Sequence, residues 1–413
     1  MHNDRRSQPV RVAIVAPTMG ILGGQAVQAD RLLRAWEGDP DVQAWLVPIN
    51  PIPPGVFPNA VDIKFVRTIA TQLFYWPQLF RELRRADVVH VFSASYFSFL
   101  LAPLPAVLVA KLLGKPVVMN YRSGQAPDHL RRSAVARRTL RWVERNAVPS
   151  PFLQGVFREH GISAEVIPNI VDVDRFSFRK RQPLAPKVLS TRNFEALYNV
   201  ACTLRAFRLV QDRYPEATLT LVGAGSEELR LRSLANELGL THVHFAGRVA
   251  PDDIWRYYAD ADVYLQTPDI DNMPSSVLEA FASGCAVVST NAGGVPAILT
   301  DDRHGLLVEC GDHAAAADRI IRLLEDPALV DRVTTAARES CAQYRWQTVR
   351  SKWVALYDGM VNNRAAMSHP PPRAQNSGAP RRDVSPGPEG RRRTIEPVAR
   401  VEQTGESPTT SAV

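Results

Sequence analysis

Apolar, strand-like runs alternate with amphipathic helix patterns along most of this chain, in two successive series. In the first, residues 12–16 form an apolar run, Gly23 and Gly24 a turn, and residues 26–36 a helical pattern. Residues 88–92 and 116–119 are further apolar runs, the second following a helix that ends at Gly114. The second series starts near Lys187, with strand patterns at 188–191, 218–222 and 243–246 separated by helical patterns at 200–214 and 227–238. Apolar runs without alternation are strands buried on both faces, and strand–helix alternation builds a parallel sheet covered by helices on each side. Two series predict an α/β chain of two doubly wound, Rossmann-like domains facing a central cleft. The ligand crevice lies at the carboxyl ends of the strands. At 413 residues the chain is long enough for two cores. The expected division is 1–178, 179–345, a helix at 346–362 and a tail at 363–413, the join falling where basic residues and prolines interrupt the pattern near 178–186. In the last helix, Trp346, Val349, Trp353 and Tyr357 share one side.

Residues 269–294, DIDNMPSSVLEAFASGCAVVSTNAGG, carry the densest chemistry. Asp271 and Glu279 flank a helix start: Asn272, Met273 and Pro274 read as a turn, Ser275 and Ser276 as the entry, and 277–282 as the helix, which Gly284 ends. A buried strand at 286–289 and a tight turn at Gly293 and Gly294 follow. Free N–H groups at a helix N-terminus hold a diphosphate without a P-loop. Carboxylates on either side can then accept hydroxyl hydrogen bonds, as a nucleotide sugar offers from ribose and hexose. Ser276 and Glu279 fit a capping box equally well, and the segment alone leaves both readings open.

The segment resembles the donor-site signature of the family 4 retaining glycosyltransferases, which have the GT-B fold. Asp271 falls on the first of the two motif glutamates and Glu279 on the second, with EAFASG and VSTNAGGVP following. Further matches are Gly23 and Gly24 after the first strand, VIPNIVDVDRF at 166–176, LVGAGSE at 221–227 and FAGRV at 245–249, so the likeness covers about residues 11–357. It implies transfer of a sugar from a nucleotide diphosphate sugar to an acceptor hydroxyl with retention, the leaving phosphate serving as base. It also implies an acceptor-side N-terminal domain, a donor-binding C-terminal domain, and a last helix that crosses back to the N-terminal domain. By the same likeness Arg192 holds the diphosphate, Asp271 the sugar and Glu279 the ribose. The backbone of residues 273–276 lies beside the sugar and phosphates, Gly23 and Gly24 let backbone approach the diphosphate, and the stretch around Arg248 contacts the base. Three positions depart from the family: Asp271 replaces the first glutamate with a side chain one methylene shorter, the second diphosphate cation, a lysine, falls on Tyr198, and the sugar-side histidine falls on Arg122 in GKPVVMNYRSG. A guanidinium stays protonated and is no general base; it can bind a phosphate or an acidic acceptor. His90 reads as a satisfied histidine at a strand end.

Composition narrows the rest. Cys202, Cys285, Cys310 and Cys341 have no paired spacing, so no disulfide frame is expected. No cluster of metal ligands stands out, Asp172 and Asp174 forming a lone D-x-D in the 166–176 segment. The expectation is catalysis without metal or cofactor. Residues 1–9 are polar and unlike a signal peptide, pointing to the cytoplasm. The apolar stretch 97–113 holds Pro103, Pro105 and Lys111 and reads as a buried helix too short to span a bilayer. Residues 131–145 hold six arginines and one acid; as one helix, Arg137, Arg141 and Arg145 repeat along one face and Ala136, Leu140 and Val143 along another. Such a face suits either solvent or anionic lipid at the inner membrane surface. The net charge is +7, and the tail from Arg364 onward has eight arginines and five acids with few apolar residues, so it is expected to be disordered. The acceptor class stays open among glycans, lipid-linked sugars and small molecules, and no nucleic acid partner is expected. Competing readings are an epimerase or phosphorylase on the same fold, and a non-catalytic nucleotide-sugar binder.

Overall fold

The computed structural model describes residues 8–20, 23–51 and 64–368. Its first sheet has the order β2-β1-β3-β4-β5-β6, with β1 at Val10–Ala16, β2 at Val42–Pro48, β3 at Val88–Phe92, β4 at Val117–Asn120, β5 at Arg145–Val148 and β6 at Glu165–Val166. The second has the order β12-β11-β10-β7-β8-β9, with β7 at Lys187–Ser190, β8 at Thr218–Val222, β9 at Val243–Gly247, β10 at Val263–Gln266, β11 at Ala286–Thr290 and β12 at Leu306–Val308. Every pairing is parallel. Winding reverses between β1 and β3 in the first sheet and between β7 and β10 in the second. Those two places are where a doubly wound sheet opens a crevice.

The helices with the first sheet are α1 (Gly24–Ala35), α2 (Lys64–Leu83), α3 (Phe97–Leu101), α4 (Pro103–Leu112), α5 (Ala126–Arg132), α6 (Ala134–Trp142) and α7 (Pro151–Glu159). Those with the second are α8 (Val200–Arg213), α9 (Glu228–Glu237), α10 (Trp255–Asp260), α11 (Ser275–Ser283), α12 (His313–Glu325) and α13 (Pro327–Ser340), and α14 (Trp346–Ser368) ends the described chain. Each sheet is sandwiched between two apolar layers. In one of them Val349, Trp353, Leu356, Tyr357 and Met360 of α14 pack with Val12, Ile14, Val88 and Val118 of the first sheet. The last helix thus returns to the first sheet with the aromatic side seen in the sequence.

The chain crosses between the halves twice, and the crossings touch. Outbound, Val171 donates its N–H to the Tyr344 carbonyl at 3.1 Å; inbound, Arg345 pairs with Asp174 at 2.9 Å. Just beyond, Arg181 is pinned to the second half. Its guanidinium donates to the carbonyls of Ala261 (2.7 Å), Tyr258 (2.8 Å) and Ser283 (2.5 Å) and to Asp262 (3.2 Å). Both charge and donors of this buried side chain are satisfied.

Three expectations need correction. The apolar stretch 97–113 is two helices rather than one, broken at Ala102 before Pro103, and the first is only partly buried: Phe99 is enclosed, whereas Phe97 is 67% and Leu100 40% exposed. A proline disfavours helical backbone in the residue before it. The arginine-rich segment 131–145 is likewise interrupted at Ser133, whose hydroxyl caps α6 by accepting from Ala136 N–H at 3.1 Å. Its arginines are mostly tied up: Arg131 and Arg132 with Asp128, Arg137 with the last carbonyls of α5, Arg141 with the His160 carbonyl, and Arg145, in β5, with Glu165. Finally, α14 runs through Ser368, six residues beyond 362, because nothing breaks the helix before the prolines starting at Pro370. The rest of the tail, residues 369–413, lies outside the described residues.

Candidate functional site

Arg192 follows β7 and the 271–276 segment follows β10, so both stand at the switch point of the second sheet. Arg192 Nη2 lies 2.5 Å from Asp271 Oδ2, and Nη1 donates to Ser276 Oγ at 3.2 Å. The guanidinium carbon sits 4.1 Å from the Tyr198 ring centroid, a cation–π contact. Burial works against the charge, but Asp271 and the hydroxyls of Tyr198, Tyr264 and Tyr258 together outweigh it and hold Arg192 above its usual pKa. Arg192 Nε is buried and has no partner among the described residues. One donor is therefore left on a fixed cation at the mouth of the sheet.

The helix start is bare. The N-cap of α11 is Pro274, no side chain caps it, and Ser276 lies inside the helix, with its hydroxyl toward Gln266 Oε1 at 3.3 Å. The capping box does not form. Glu279 instead meets a residue no sequence pattern singled out: Arg31 Nη2, on α1 of the other half, lies 2.7 Å from Glu279 Oε1, the carboxylate buried and the guanidinium partly so. One turn earlier on α1, Gln28 donates to Ser275 Oγ at 3.0 Å and to the Ile170 carbonyl at 3.1 Å, while its own carbonyl accepts from Ile170 N–H at 3.1 Å. Gln28 and Arg31, three apart, share the face turned to the helix start.

Glycines let backbone close in around this region. A Cβ on Gly223 would stand 2.1 Å from the Arg192 carbonyl oxygen, and one on Gly225 2.3 Å from that of Phe194. The LVGAGSE glycines therefore seat the Arg192 loop. Gly293, in left-handed backbone at φ +51°, and Gly294 approach the Asp271 and Asn272 carbonyls so closely that a Cβ would lie 2.2 and 2.0 Å from them. Gly23 and Gly24 differ: Gly23 is extended, Gly24 opens α1, and a Cβ on either would meet none of the described residues within 4 Å.

The first half adds a second set of contacts. Asn169 Nδ2 donates to the Met273 carbonyl at 2.8 Å, and its Oδ1 accepts from Arg122 Nη1. Asn272 is held between Ser150 Oγ and the Arg122 carbonyl. Arg122 Nε donates to Asn120 Oδ1 at 3.1 Å, and Asn120 Nδ2 points to His90 Nε2 at 2.9 Å. His90 Nδ1 meets the Tyr357 hydroxyl at 2.7 Å. His90 is the satisfied histidine expected, though it lies in the middle of β3 rather than at its end. Burial, helped by the charge of Arg122, pushes it down to about 3, so it is neutral. Arg248 is exposed in the loop after β9 and is not part of this cluster. Asp174 of the D-x-D is engaged with Arg345.

Comparison with known proteins agrees with this geometry. The chain matches the families described as Glycosyltransferase Family 4 over residues 22–175 and Glycosyl transferases group 1 over residues 174–340. It is 32% identical to the phosphatidyl-myo-inositol mannosyltransferase of Mycobacterium tuberculosis over 331 residues, 74% of this chain and 84% of that protein. It is 28% identical to the GDP-mannose-dependent alpha-(1-6)-phosphatidylinositol monomannoside mannosyltransferase of the same organism, over 71% of this chain and 83% of the relative. It is 26% identical to sulfoquinovosyl transferase SQD2 of Arabidopsis thaliana over 70% of this chain, spanning 60% of that longer protein. Among solved structures, HepE of Anabaena in complex with UDP and glucose aligns with TM-score 0.67 at 18% identity, over 84% of this chain and 99% of that one. Sucrose-phosphate synthase from Thermosynechococcus elongatus aligns with TM-score 0.68 at 19% identity, over 86% and 100%. These two likenesses speak to the fold.

Proposed function

The chain belongs to the group 1, family 4 glycosyltransferases, retaining enzymes of GT-B fold that move a sugar from a nucleotide-sugar donor, and on that premise we propose how its cleft works and what it glycosylates. The bare start of α11 receives the diphosphate, with the Arg192 guanidinium, bonded to Ser276 of its first turn, beside it. Where the family's second cation falls on Tyr198, the aromatic ring instead stacks on Arg192, and Arg31 brings the second positive charge from across the cleft. Glu279 shares one oxygen with Arg31 and keeps the other for ribose hydroxyls. Asp271, with the backbone of 272–275, takes the hexose. The backbone near Arg248 meets the base, and Gly23 and Gly24 allow close approach over the diphosphate. As the C1–O bond breaks, its electron pair leaves with the nucleoside diphosphate. The acceptor oxygen bonds to C1 on the same face and passes its proton to the departing phosphate oxygen.

For the acceptor, the reading is a lipid-linked hydroxyl met at an anionic membrane surface. The observation that carries it is an apolar patch on the first half. Leu73 (69% exposed) and Phe74 (42%) of α2 stand beside Phe97 (67%) and Leu100 (40%) of α3, the helices being joined by Gln72 to the Leu101 carbonyl and Tyr75 to the Ala102 carbonyl. Tyr96, next to Phe97 in the chain, donates to Asp128 of α5, which also holds Arg131 and Arg132. Two mycobacterial relatives are named for phosphatidylinositol-type acceptors. Among the described residues no helix is long and apolar enough to cross a membrane, so contact would be peripheral. Flotation with vesicles of neutral or anionic lipid tests this. Binding to anionic vesicles that weakens when Phe97 and Leu100 are changed to Ser supports it; no binding to either vesicle, with transfer to a water-soluble acceptor intact, refutes it.

A further inference from the structure

Three guanidinium groups face the cleft, and two have carboxylate partners: Arg192 with Asp271 and Arg31 with Glu279. Arg122 has none among the described residues. Its contacts are neutral throughout: Asn120 Oδ1 on Nε, Asn169 Oδ1 on Nη1, and the Phe92 ring 5.4 Å from the guanidinium carbon. Nη2 makes no hydrogen bond to the described residues.

The neutrality is built in. Arg122 Nε can only donate, so it fixes the Asn120 amide with its oxygen toward Arg122 and its Nδ2 toward His90 Nε2; a donating Nδ2 leaves the His90 proton on Nδ1, facing the Tyr357 hydroxyl. Asn169 is fixed likewise, because its Nδ2 is committed to the Met273 carbonyl. Two amide oxygens therefore clamp Nε and Nη1 and turn the remaining N–H pair outward, without supplying a counter-charge. Burial lowers Arg122 from its ordinary value to about 9.

Position says which end of the substrate it meets. Along the donor segment, Arg31 touches Glu279, Gln28 touches Ser275, Arg192 touches Ser276 and Asp271, and Arg122 touches Asn272 and, through Asn169, Met273. Arg122 thus stands at the end opposite the ribose-side pair, past the helix start that receives phosphate. A bound nucleoside diphosphate would bring its charges to the helix start and leave Arg122 unpaired.

We infer that Arg122 is a specificity residue that pairs with an oxyanion of the substrate other than the diphosphate, carried by the transferred sugar or by the acceptor. This deepens the glycosyltransferase reading above and rests on it. A guanidinium with two of its five N–H donors fixed and both of those on Nη2 free suits a carboxylate, sulfonate or phosphate oxygen, and its planar donors discriminate strongly against a neutral hydroxymethyl or hydroxyl group.

The test uses the full-length protein and calorimetry in two arms. In the donor arm, UDP-glucose is compared with UDP-glucuronic acid and GDP-mannose with GDP-mannuronic acid, pairs that differ only at C6. In the acceptor arm, protein saturated with UDP or GDP is titrated with myo-inositol and with myo-inositol 1-phosphate. In one arm the anionic member should bind at least about ten-fold tighter. Arg122→Gln should reduce that ratio to below about two-fold, while affinity for the bare nucleoside diphosphate changes by less than about two-fold; Arg122→Lys should keep part of the preference. The melting temperature of Arg122→Gln should stay within about two degrees of the parent, since no ion pair is lost. Equal binding of charged and neutral members in both arms, with the diphosphate still bound, overturns the inference alone. So does a ten-fold loss of diphosphate affinity in Arg122→Gln, which would make Arg122 part of the phosphate site. Failure of the parent protein to bind UDP or GDP overturns the donor-site reading and this inference together.

Discussion

The two carboxylates of the cleft are paired in opposite ways. Asp271 is neutralised from within its own half, by an arginine at the end of the adjacent strand β7. Glu279 is neutralised from the other half, by an arginine on α1. The first pair exists however the halves stand, and its strength depends on local burial. The second exists only while α1 lies against α11, so it reports on the cleft and contributes to holding it shut. Ligand contact and cleft geometry are thus divided between two ion pairs of similar length, 2.5 and 2.7 Å.

If that division is right, the intra-half pair should give the largest effect. Arg192→Ala removes a charged donor from the diphosphate and leaves Asp271 without its partner. Nucleoside diphosphate affinity should fall more than ten-fold, about 1.5–3 kcal/mol, and unchanged calorimetric affinity would reduce Arg192 to a structural role. The next effect separates the carboxylates by ligand. Asp271→Asn should weaken binding or turnover of the intact nucleotide sugar and spare the bare diphosphate, whereas Glu279→Gln should weaken both, because both contain ribose. Each loss should be about 1.5–3 kcal/mol; equal losses for the two ligands in Asp271→Asn would dissolve the contrast. Arg31→Ala should be milder, about 0.5–1.5 kcal/mol in diphosphate affinity, and should loosen the contact between α1 and α11. Hydrogen exchange of the 170–176 and 273–279 backbone would register the loosening, and no change there would mean that the pair does not hold the cleft. The smallest expected effect is none: turnover should survive EDTA, and a complete loss restored by magnesium or manganese would show that charge at the cleft is balanced by a cation the two pairs leave out.

The same contrast explains what could be read from the residues alone. The helix start between Asp271 and Glu279 was legible because apolar residues and Gly284 mark the helix that follows it, whereas Arg192 was singled out only by the family resemblance. Continuous strands such as β3 and β8 were read at their true limits, 88–92 and 218–222. Gln28 and Arg31 were not legible. Their spacing places them on one face of α1, but only the packing of the two halves shows that this face meets α11. Asn169 lay inside a recognised string, VIPNIVDVDRF, yet nothing local indicates that its amide bridges Arg122 and Met273. The helix breaks at Ala102 and Ser133 were missed because apolar and basic periodicity continued across them, while the proline after Ala102 and the Ser133 hydroxyl offered the backbone a different geometry. The glycines of LVGAGSE carried a cue, close backbone approach, but what approaches is the Arg192 loop.

The double crossing between the halves has a mechanical consequence. Two strands of chain that run side by side, stitched by the Val171–Tyr344 backbone bond and the Asp174–Arg345 ion pair, act as a pair of pins along one line. Two bodies joined by a single tether can twist, slide and swing; joined by two adjacent pins they retain essentially one freedom, rotation about the line through the pins. Any angular change there would be magnified with distance from the pins, and it would carry Arg31, Gln28 and Arg122 together toward or away from the donor segment.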